Sequence, residues 1–140
     1  GAAVIDLAGA TRLAGSESHS LWRPAGVPRL RYYARGYYRD GWLAHDGSFD
    51  VWAPRVAGRI RFVVSNGVDD EQTTLSIRAP GERRKIRLVP GASRPVELTA
   101  CGRGAWHASF EVAGATLSAG RALGVRSTKP VWTPDRSACG

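Results

Sequence analysis

Residues 93–112 read SRPVELTACGRGAWHASFEV, and this stretch decides the fold. Apolar and polar residues alternate on both sides of its central Cys-Gly-Arg-Gly. The alternating apolar side chains are Val96, Leu98 and Ala100 before the break, and Trp106, Ala108, Phe110 and Val112 after it. A period of two is typical of a β-strand with one buried face, and a glycine-rich break is typical of a turn. The stretch therefore predicts two half-buried antiparallel strands.

The same alternation recurs from Tyr37 onward, in short runs roughly ten residues apart. The intervals carry turn sequences such as NGVDD, APGE, PGASRP and VAGA, and the chain contains 17 Gly and 8 Pro. No window of eleven or more residues keeps the 3.6-residue period of a helix. Further alternating apolar positions are Ile60, Phe62, Val64, Leu75, Ile77, Ala79, Ile86, Leu88, Leu123 and Val125. We therefore predict an all-β fold, an antiparallel β-sandwich of seven to nine short strands with jelly-roll-like or Greek-key connections.

The length of 140 residues is that of one domain, and we expect residues 1–140 to form a single β-sandwich. A chain of this size buries roughly 68% of the surface that its unfolded form exposes, which is enough for one core. With 43% hydrophobic residues and no apolar run of about 18 residues, the sequence is neither that of a disordered chain nor that of a membrane helix. The absence of Met indicates a processed protein or a piece of a longer one.

The chain is basic, with 20 Lys and Arg against 12 Asp and Glu and a net charge of +8. All but two of the basic residues are arginine, scattered from Arg12 to Arg136 without a dense run. Such an excess of Arg over Lys reflects a GC-rich coding sequence more simply than a nucleic-acid interface, because Arg codons are GC-rich, so no nucleic-acid partner is expected. Acidic glycans or anionic lipid headgroups fit the dispersed positive field better.

Two cysteines, Cys101 and Cys139, are the full complement. An even, minimal count predicts one disulfide in an oxidising compartment, whereas two free thiols are the alternative. The bond would close a loop of about 39 residues and contribute roughly 4 kcal/mol in the chain-entropy model. No CxxC, HxH or HExxH motif occurs, so no metal or cofactor is predicted. The acidic stretch Asp69–Glu71 is either a solvated turn or a loop that coordinates Ca²⁺.

Aromatic and charged residues are densest in residues 32–54, YYARGYYRDGWLAHDGSFDVWAP. We expect the tetrapeptide AHDG, residues 44–47, to form a four-residue hairpin loop. In that hairpin Trp42 and Phe49 share the core face. Leu43 lies on the opposite face.

The face opposite the core then joins the aromatic plane of Trp52 to the charges of Arg39 and Asp50. In such a combination the aromatic ring stacks on a sugar ring and the charged groups hydrogen-bond the sugar hydroxyls. Trp52→Ala is therefore expected to abolish glycan binding without unfolding the domain. The alternative is structural, with Arg39 packed over the ring of Trp52. The candidate ligand-binding residues are Trp52, Arg39, Asp50 and His45.

Catalytic patterns lack a partner residue at workable spacing. Three aspartates between residues 40 and 50 suggest a glycosidase pair, but Asp46 precedes Gly47 in a turn sequence that favours Asp for backbone reasons. Ser109 and His107 share a strand face, yet no GxSxG nucleophile elbow exists. We therefore predict that the domain is not an enzyme.

Two segments resemble a known family. The first is Gly36-x-x-x-Asp40-Gly41-Trp42, followed by an aromatic-rich strand, and the second is GRALGVR at 120–126, closing on Pro130 and Trp132. Together they resemble the extracytoplasmic C-terminal β-sandwich domain of bacterial, especially actinobacterial, polytopic membrane glycosyltransferases. The resemblance implies a non-catalytic accessory domain, similar in shape to carbohydrate-binding modules, on the outer face of the membrane. Its expected partners are the membrane part of the same protein in cis and a cell-envelope glycan.

Two other functions stay open. The chain is either a structural domain that contacts protein without a sugar site, or a small secreted hydrolase. An exposed aromatic platform favours the glycan-binding hypothesis, and an apolar patch over about 400 Å² favours the protein-contact hypothesis. A pocket that converges two carboxylates, or a Ser and a His, favours the hydrolase.

Overall fold

A computed structural model describes the protein as antiparallel β-structure, with no α-helix among the residues it describes. These are residues 2–6, 9–26, 29–53, 57–67, 70–101, 104–114, 116–118 and 121–139. Only the backbone is described at 2–6, 29–31, 52–53, 104–105, 116–118 and 121–123. The all-β, antiparallel, sandwich-like architecture that the alternation predicts is confirmed.

Fourteen strands occur in the described part of the chain, more than the seven to nine predicted. The excess comes from strands within the first 37 residues and from the short strands that follow Ala113. The strands are β1 Ala2–Asp6, β2 Thr11–Gly15, β3 Ser20–Arg23, β4 Arg29–Tyr37, β5 Trp42–Ala53, β6 Gly58–Ser65, β7 Thr73–Ala79, β8 Glu82–Leu88, β9 Ser93–Ala100, β10 Gly104–Ala113, β11 Thr116–Ser118, β12 Arg121–Leu123, β13 Val125–Ser127 and β14 Val131–Pro134, before a 3₁₀ turn at Arg136–Cys139.

Ten of these strands belong to one hydrogen-bonded sheet that curls into two layers. The first layer has the order β1-β4-β5-β10-β7-β8. In the second layer β9 pairs with one edge of β6, and β13 and β14 pair with the other. Because β13 also pairs with β5, it joins the two layers.

The core lies between the layers and is centred on Phe49, which is 1% exposed. Its ring lies 5.0 Å from that of Phe110 in the first layer and 5.8 Å from that of Phe62 in the second. Tyr32 and Tyr37 of β4 complete this aromatic cluster. The alternating apolar residues of β6, β7, β9 and β10 are buried around it, as their period predicts.

The hairpin expected at residues 44–47 is wrong, because β5 runs without interruption from Trp42 to Ala53. Gly47 is buried inside this strand, opposite Phe110 of β10. A methyl group at Gly47 would overlap the Phe110 ring and the Arg35 carbonyl, so glycine serves close packing here rather than a turn. Leu43 consequently shares the core side with Phe49 instead of facing away from it.

Hydrogen bonds from side chains, rather than a ladder of backbone hydrogen bonds, connect β9 to the first layer. The Thr99 amide donates to Oε1 of Glu82 over 2.6 Å, and its carbonyl accepts from Nε1 of Trp106 over 3.1 Å. These bonds satisfy the backbone of Thr99 on the edge that faces away from β6. A strand edge capped in this way is protected from pairing with another chain.

The predicted Cys101–Cys139 disulfide is confirmed, with a Cα–Cα distance of 5.5 Å. It holds the C-terminal turn against the end of β9. The same tail is held by Asp135, whose carboxylate accepts from Nε of Arg59 over 2.6 Å. Hydrogen bonds from Ser137, and then the bond from Arg59, lower the pKa of Asp135 to about 2. Covalent and ionic contacts therefore fix the tail together.

Strands β2 and β3 form a separate two-stranded ribbon, here called the arm. Nearly all of its residues are exposed, including Leu13 at 48% and Leu21 at 60%. Its tip is closed by the Ser16 amide, which donates to the His19 carbonyl over 2.7 Å. The arm therefore adds little to the core. Across the described residues, no helix is long and apolar enough to span a bilayer.

Candidate functional site

The four predicted ligand-binding residues occupy different places along β5. Arg39 lies in the turn before the strand, and His45, Asp50 and Trp52 lie within it. At about 3.3 Å per residue, the strand carries Asp50 roughly 26 Å beyond Trp42, so Arg39 and Asp50 do not meet. The prediction for Trp52 falls outside the described side chains, although its backbone pairs with Ala105.

His45 does not face the same way as Asp50, because five positions separate them and successive strand residues alternate faces. Its Nδ1 lies 2.8 Å from the carbonyl oxygen of Val112 on β10. Since a carbonyl only accepts, Nδ1 is the donor. His45 is therefore tied to the neighbouring strand.

The outer face of the first layer carries a row of aromatic and ionisable side chains from three adjacent strands. Tyr33 of β4 and His107 of β10 are both register partners of Asp50 in β5. Tyr33 is 41% exposed, and the side chains of His107 and Asp50 are 59% and 24% exposed. We call Tyr33, Asp50 and His107 the outer row.

Within the outer row, Nδ1 of His107 lies 2.7 Å from Oδ1 of Asp50. An ionised carboxylate only accepts, so Nδ1 carries the hydrogen and a neutral imidazole presents the Nε2 lone pair outward. The carboxylate thus fixes the ring orientation of His107. The row offers an aromatic face, an acceptor carboxylate and an oriented imidazole on one open surface.

A second line of side chains borders the outer row. Ser48 and Ser109 are register partners, and Arg35 and Arg78 flank them on β4 and β7. Cross-strand partners lie about 5 Å apart, so the register places the two serines between two arginine positions. The Arg35 guanidinium lies 3.6 Å from a carboxylate oxygen of Asp46. This border adds donors beside the aromatic and acidic groups.

The hydrolase hypothesis depends on Ser109, which lies two positions from His107 on β10. In the described part of the chain, no hydrogen bond joins these two side chains. His107 also lines neither of the two cavities described below. Among the described residues, no nucleophile is therefore hydrogen-bonded to the Asp50–His107 pair.

Arg39 lines a cavity of about 370 Å³ with a mixed polar and apolar lining, at the junction of the two layers. Arg126 of β13 lines it as well, with its guanidinium 5.6 Å from the centre of the Trp42 ring. An arginine packed over a tryptophan ring, which the sequence suggests for Arg39 and Trp52, is thus found at Arg126 and Trp42. Sequence reasoning missed Arg126 because only the pairing of β13 with β5 brings it to Trp42.

A second concave surface, a largely apolar groove of about 680 Å³, lies along β6, β9 and β14. Val63 and Val131 line it and are 42% and 56% exposed. Pro95 of β9 adds apolar surface, and Glu97 and Lys129 border it. This groove is the apolar feature that favours the protein-contact hypothesis.

Of the calcium site considered at Asp69–Glu71, Asp69 lies outside the described residues. Asp70 accepts from the Gly67 amide over 3.1 Å, as a turn residue does. Among the residues that the structure describes, no group of three or more His, Cys, Asp or Glu side chains could hold a metal ion.

Comparisons with known proteins give no match to a family model, a curated protein or a solved structure. The resemblance to the glycosyltransferase C-terminal domain therefore stays a prediction that rests on its quoted motifs.

Proposed function

We propose that this chain is a non-catalytic accessory domain of a membrane glycosyltransferase or another cell-envelope protein, and that it binds glycan through the outer row. In this proposal the domain lies outside the cytoplasm, tethered through the membrane part of the same protein. The Cys101–Cys139 disulfide is compatible with that location.

The observation that carries the proposal is the side-by-side arrangement of Tyr33, Asp50 and His107 on three paired strands. A sugar ring has an apolar face and a rim of hydroxyls. Tyr33 can contact the apolar face of the sugar, because aromatic rings bury large apolar area. Asp50 and His107 can form hydrogen bonds with the hydroxyls at the rim of the sugar. The β-ladders hold all three at fixed spacing, which lowers the cost of ordering them on binding.

The same arrangement favours binding over catalysis. A hydrolase needs a nucleophile or second acid within hydrogen-bond reach of its base, and a site that excludes water. His107 lines neither of the two cavities, and among the described residues no nucleophile is hydrogen-bonded to it. A flat surface also buries little of a ligand, so each saccharide unit binds weakly.

The test is binding of the purified domain to a panel of envelope glycans, measured by glycan array and then by calorimetry. Tyr33→Ala and His107→Ala are each expected to weaken binding about tenfold or more, since each removes a central contact. Trp52→Ala tests the sequence-based prediction on the same strand. Melting temperatures of these variants separate a lost contact from a lost fold.

Matched controls come from the arm. Trp22→Ala and His19→Ala remove an aromatic ring and an imidazole from a different surface, and they are expected to leave glycan affinity unchanged. Equal losses in the arm and outer-row variants, or no glycan bound by the wild-type domain, would contradict the proposal. Turnover of a glycoside, ester or peptide that is lost in His107→Ala would show an enzyme instead.

The apolar groove favours a second candidate function, contact with protein and no sugar site. Val131→Lys places a charge in this groove while leaving the outer row intact. If that variant loses association with the parent chain and no variant affects a glycan, the protein-contact function replaces the glycan-binding one.

A further inference from the structure

The cavity beside Arg39 has walls fixed by backbone hydrogen bonds. The Tyr38 amide donates to the Trp42 carbonyl over 2.8 Å, and the Gly41 amide donates to the Tyr38 carbonyl over 3.0 Å. The Ser127 amide then donates to the Gly41 carbonyl over 2.8 Å, which joins the turn to β13. Gly41 has φ +93°, a conformation that L side chains rarely adopt. The turn is therefore built tightly against the strand that carries Arg126.

Arg126 is held in place on two sides. Its guanidinium lies over the Trp42 ring, and Nη2 donates to the carbonyl oxygen of Asp40 over 3.0 Å. A guanidinium has five N–H donors in a planar fork, so most of its donors remain for another acceptor. Because the ring and the carbonyl already orient the fork, little side-chain entropy is lost when it binds one.

Arg39 adds a second positive charge to the cavity lining, against the one carboxylate of Asp40. The Thr128 hydroxyl also lines the cavity and accepts from the Val63 amide over 2.8 Å, so its own hydrogen can be donated. The lining thus combines a net positive charge with the hydrogen-bond donors of Arg39, Arg126 and Thr128 around one cavity.

We propose that this Arg39–Arg126 cavity binds an oxyanion, the carboxylate or phosphate group of an anionic sugar. A planar fork bonds such oxygens in pairs, and charge-assisted hydrogen bonds are about twice as strong as neutral ones. A volume of about 370 Å³ lies in the range of small-molecule sites. The site is separate from the outer row, so this proposal stands whether or not the outer row binds glycan.

The experiment is an NMR titration of the ¹⁵N-labelled domain with glucuronate, glucose 1-phosphate, inorganic phosphate and neutral glucose. We expect the anionic ligands to shift the amides of Gly41 and Ser127, and glucose at equal concentration to leave them in place. Glucuronate alone would identify a carboxylate site, and the two phosphates alone would identify a phosphate site. Either result supports the proposal. No shift with any anion overturns it.

Variants separate the cavity from the general positive field. Arg126→Gln and Arg39→Gln are each expected to weaken anion binding about tenfold, the loss of one charged hydrogen-bonding group. Arg126→Lys keeps the charge but loses the planar fork, so we expect its affinity for the anion to be close to that of Arg126→Gln. Arg83→Gln on β8 removes the same charge elsewhere and should change affinity less than about twofold.

A folded Arg126→Gln variant that binds as tightly as wild type would overturn the proposal. Equal weakening by Arg83→Gln would overturn it too, because it would assign binding to the overall charge. Arg39→Gln keeps the test decisive if loss of the Trp42 stack unfolds the Arg126 variant. Tyr33→Ala should not change anion binding, which keeps failure of this proposal distinct from failure of the glycan-binding one.

Discussion

Replacement of Gly47 by alanine tests the strand assignment of β5 directly. The added methyl would overlap the Phe110 ring and the carbonyl oxygen of Arg35. Neither neighbour can withdraw easily. Phe110 is 4% exposed and packs 5.0 Å from the Phe49 ring, and the Arg35 carbonyl belongs to a strand paired with β5. Overpacking of a rigid core costs about 1–3 kcal/mol, and we expect the upper end of that range here.

Urea unfolding followed by tryptophan fluorescence measures this cost, since the chain has five Trp. With a slope of roughly 2 kcal/mol/M, a loss of about 3 kcal/mol lowers the midpoint by about 1.5 M urea. Gly26→Ala is the matched control, because a Cβ there meets no atom within 4 Å. It should change the free energy of unfolding by less than about 0.5 kcal/mol.

A second control locates the clash. Phe110→Leu removes the far edge of the ring, so Gly47→Ala should cost about 1 kcal/mol less in that background than in wild type. A glycine in an exposed hairpin loop at residues 44–47 would tolerate a methyl group. A loss below about 0.5 kcal/mol in Gly47→Ala would therefore refute the buried-strand assignment.

Three further predictions concern the tail and the arm. The double variant Cys101→Ser/Cys139→Ser should lose roughly 4 kcal/mol of stability in urea unfolding, the chain-entropy value for its loop, and an unchanged midpoint would contradict this. The pKa of Asp135, lowered to about 2, means that its stabilising contribution is complete above pH 4 and is lost as the pH falls through about 2. Asp135→Asn should accordingly flatten the acid end of the stability profile, and an unchanged profile would refute the ion-pair assignment. Leu13→Ser and Leu21→Ser should leave the melting temperature within about 2 °C of wild type, since both side chains are exposed on the arm.

The alternating pattern predicts the buried faces well because burial of one strand face is a local property of the sequence. Ile60, Phe62 and Val64 are all buried, while Arg61 and Val63 between them are exposed. The period of two requires this result in any antiparallel sandwich. No pairing partner has to be known to make the prediction.

The region around Gly47 shows where local signals fail. His45-Asp46-Gly47 has the composition of a turn, and the register between β4 and β5 shifts here, from Arg35–Ser48 to Tyr37–Leu43. On the other side, β10 pairs with Asp46 and Gly47 and keeps the strand extended. Propensity for a turn is a weak effect beside pairing with a neighbouring strand. The local signal was therefore overridden by contacts with distant strands.

The candidate sites depend on the same distant pairing, which is why sequence reasoning found them only in part. Asp50 was predicted as a ligand residue. Its contact with His107 could not be predicted without the register between their two strands, because the two residues are 57 positions apart in the sequence. The position of Arg126 on Trp42 needs the pairing of β13 with β5. Neither register follows from the composition of the strands involved.

Ionic strength separates the two ways in which a basic domain can attract an anionic glycan. The net charge of +8 acts over the whole surface, and at 0.15 M salt its field is screened beyond about 8 Å. Contacts of the Arg126 fork act within hydrogen-bond distance, where screening is much weaker. In wild type, affinity for glucuronate should fall with added salt and then level off at a value set by the hydrogen bonds in the cavity.

The Arg126→Gln variant should lack that residual affinity, whereas Arg83→Gln should lower affinity at low salt only and converge with wild type at high salt. Chemical-shift titrations at about 0.02 M and 0.5 M NaCl give both comparisons. If Arg126→Gln and Arg83→Gln keep the same ratio to wild type at both salt concentrations, the arginines act only through the overall field, and the cavity has no separate role in recognition.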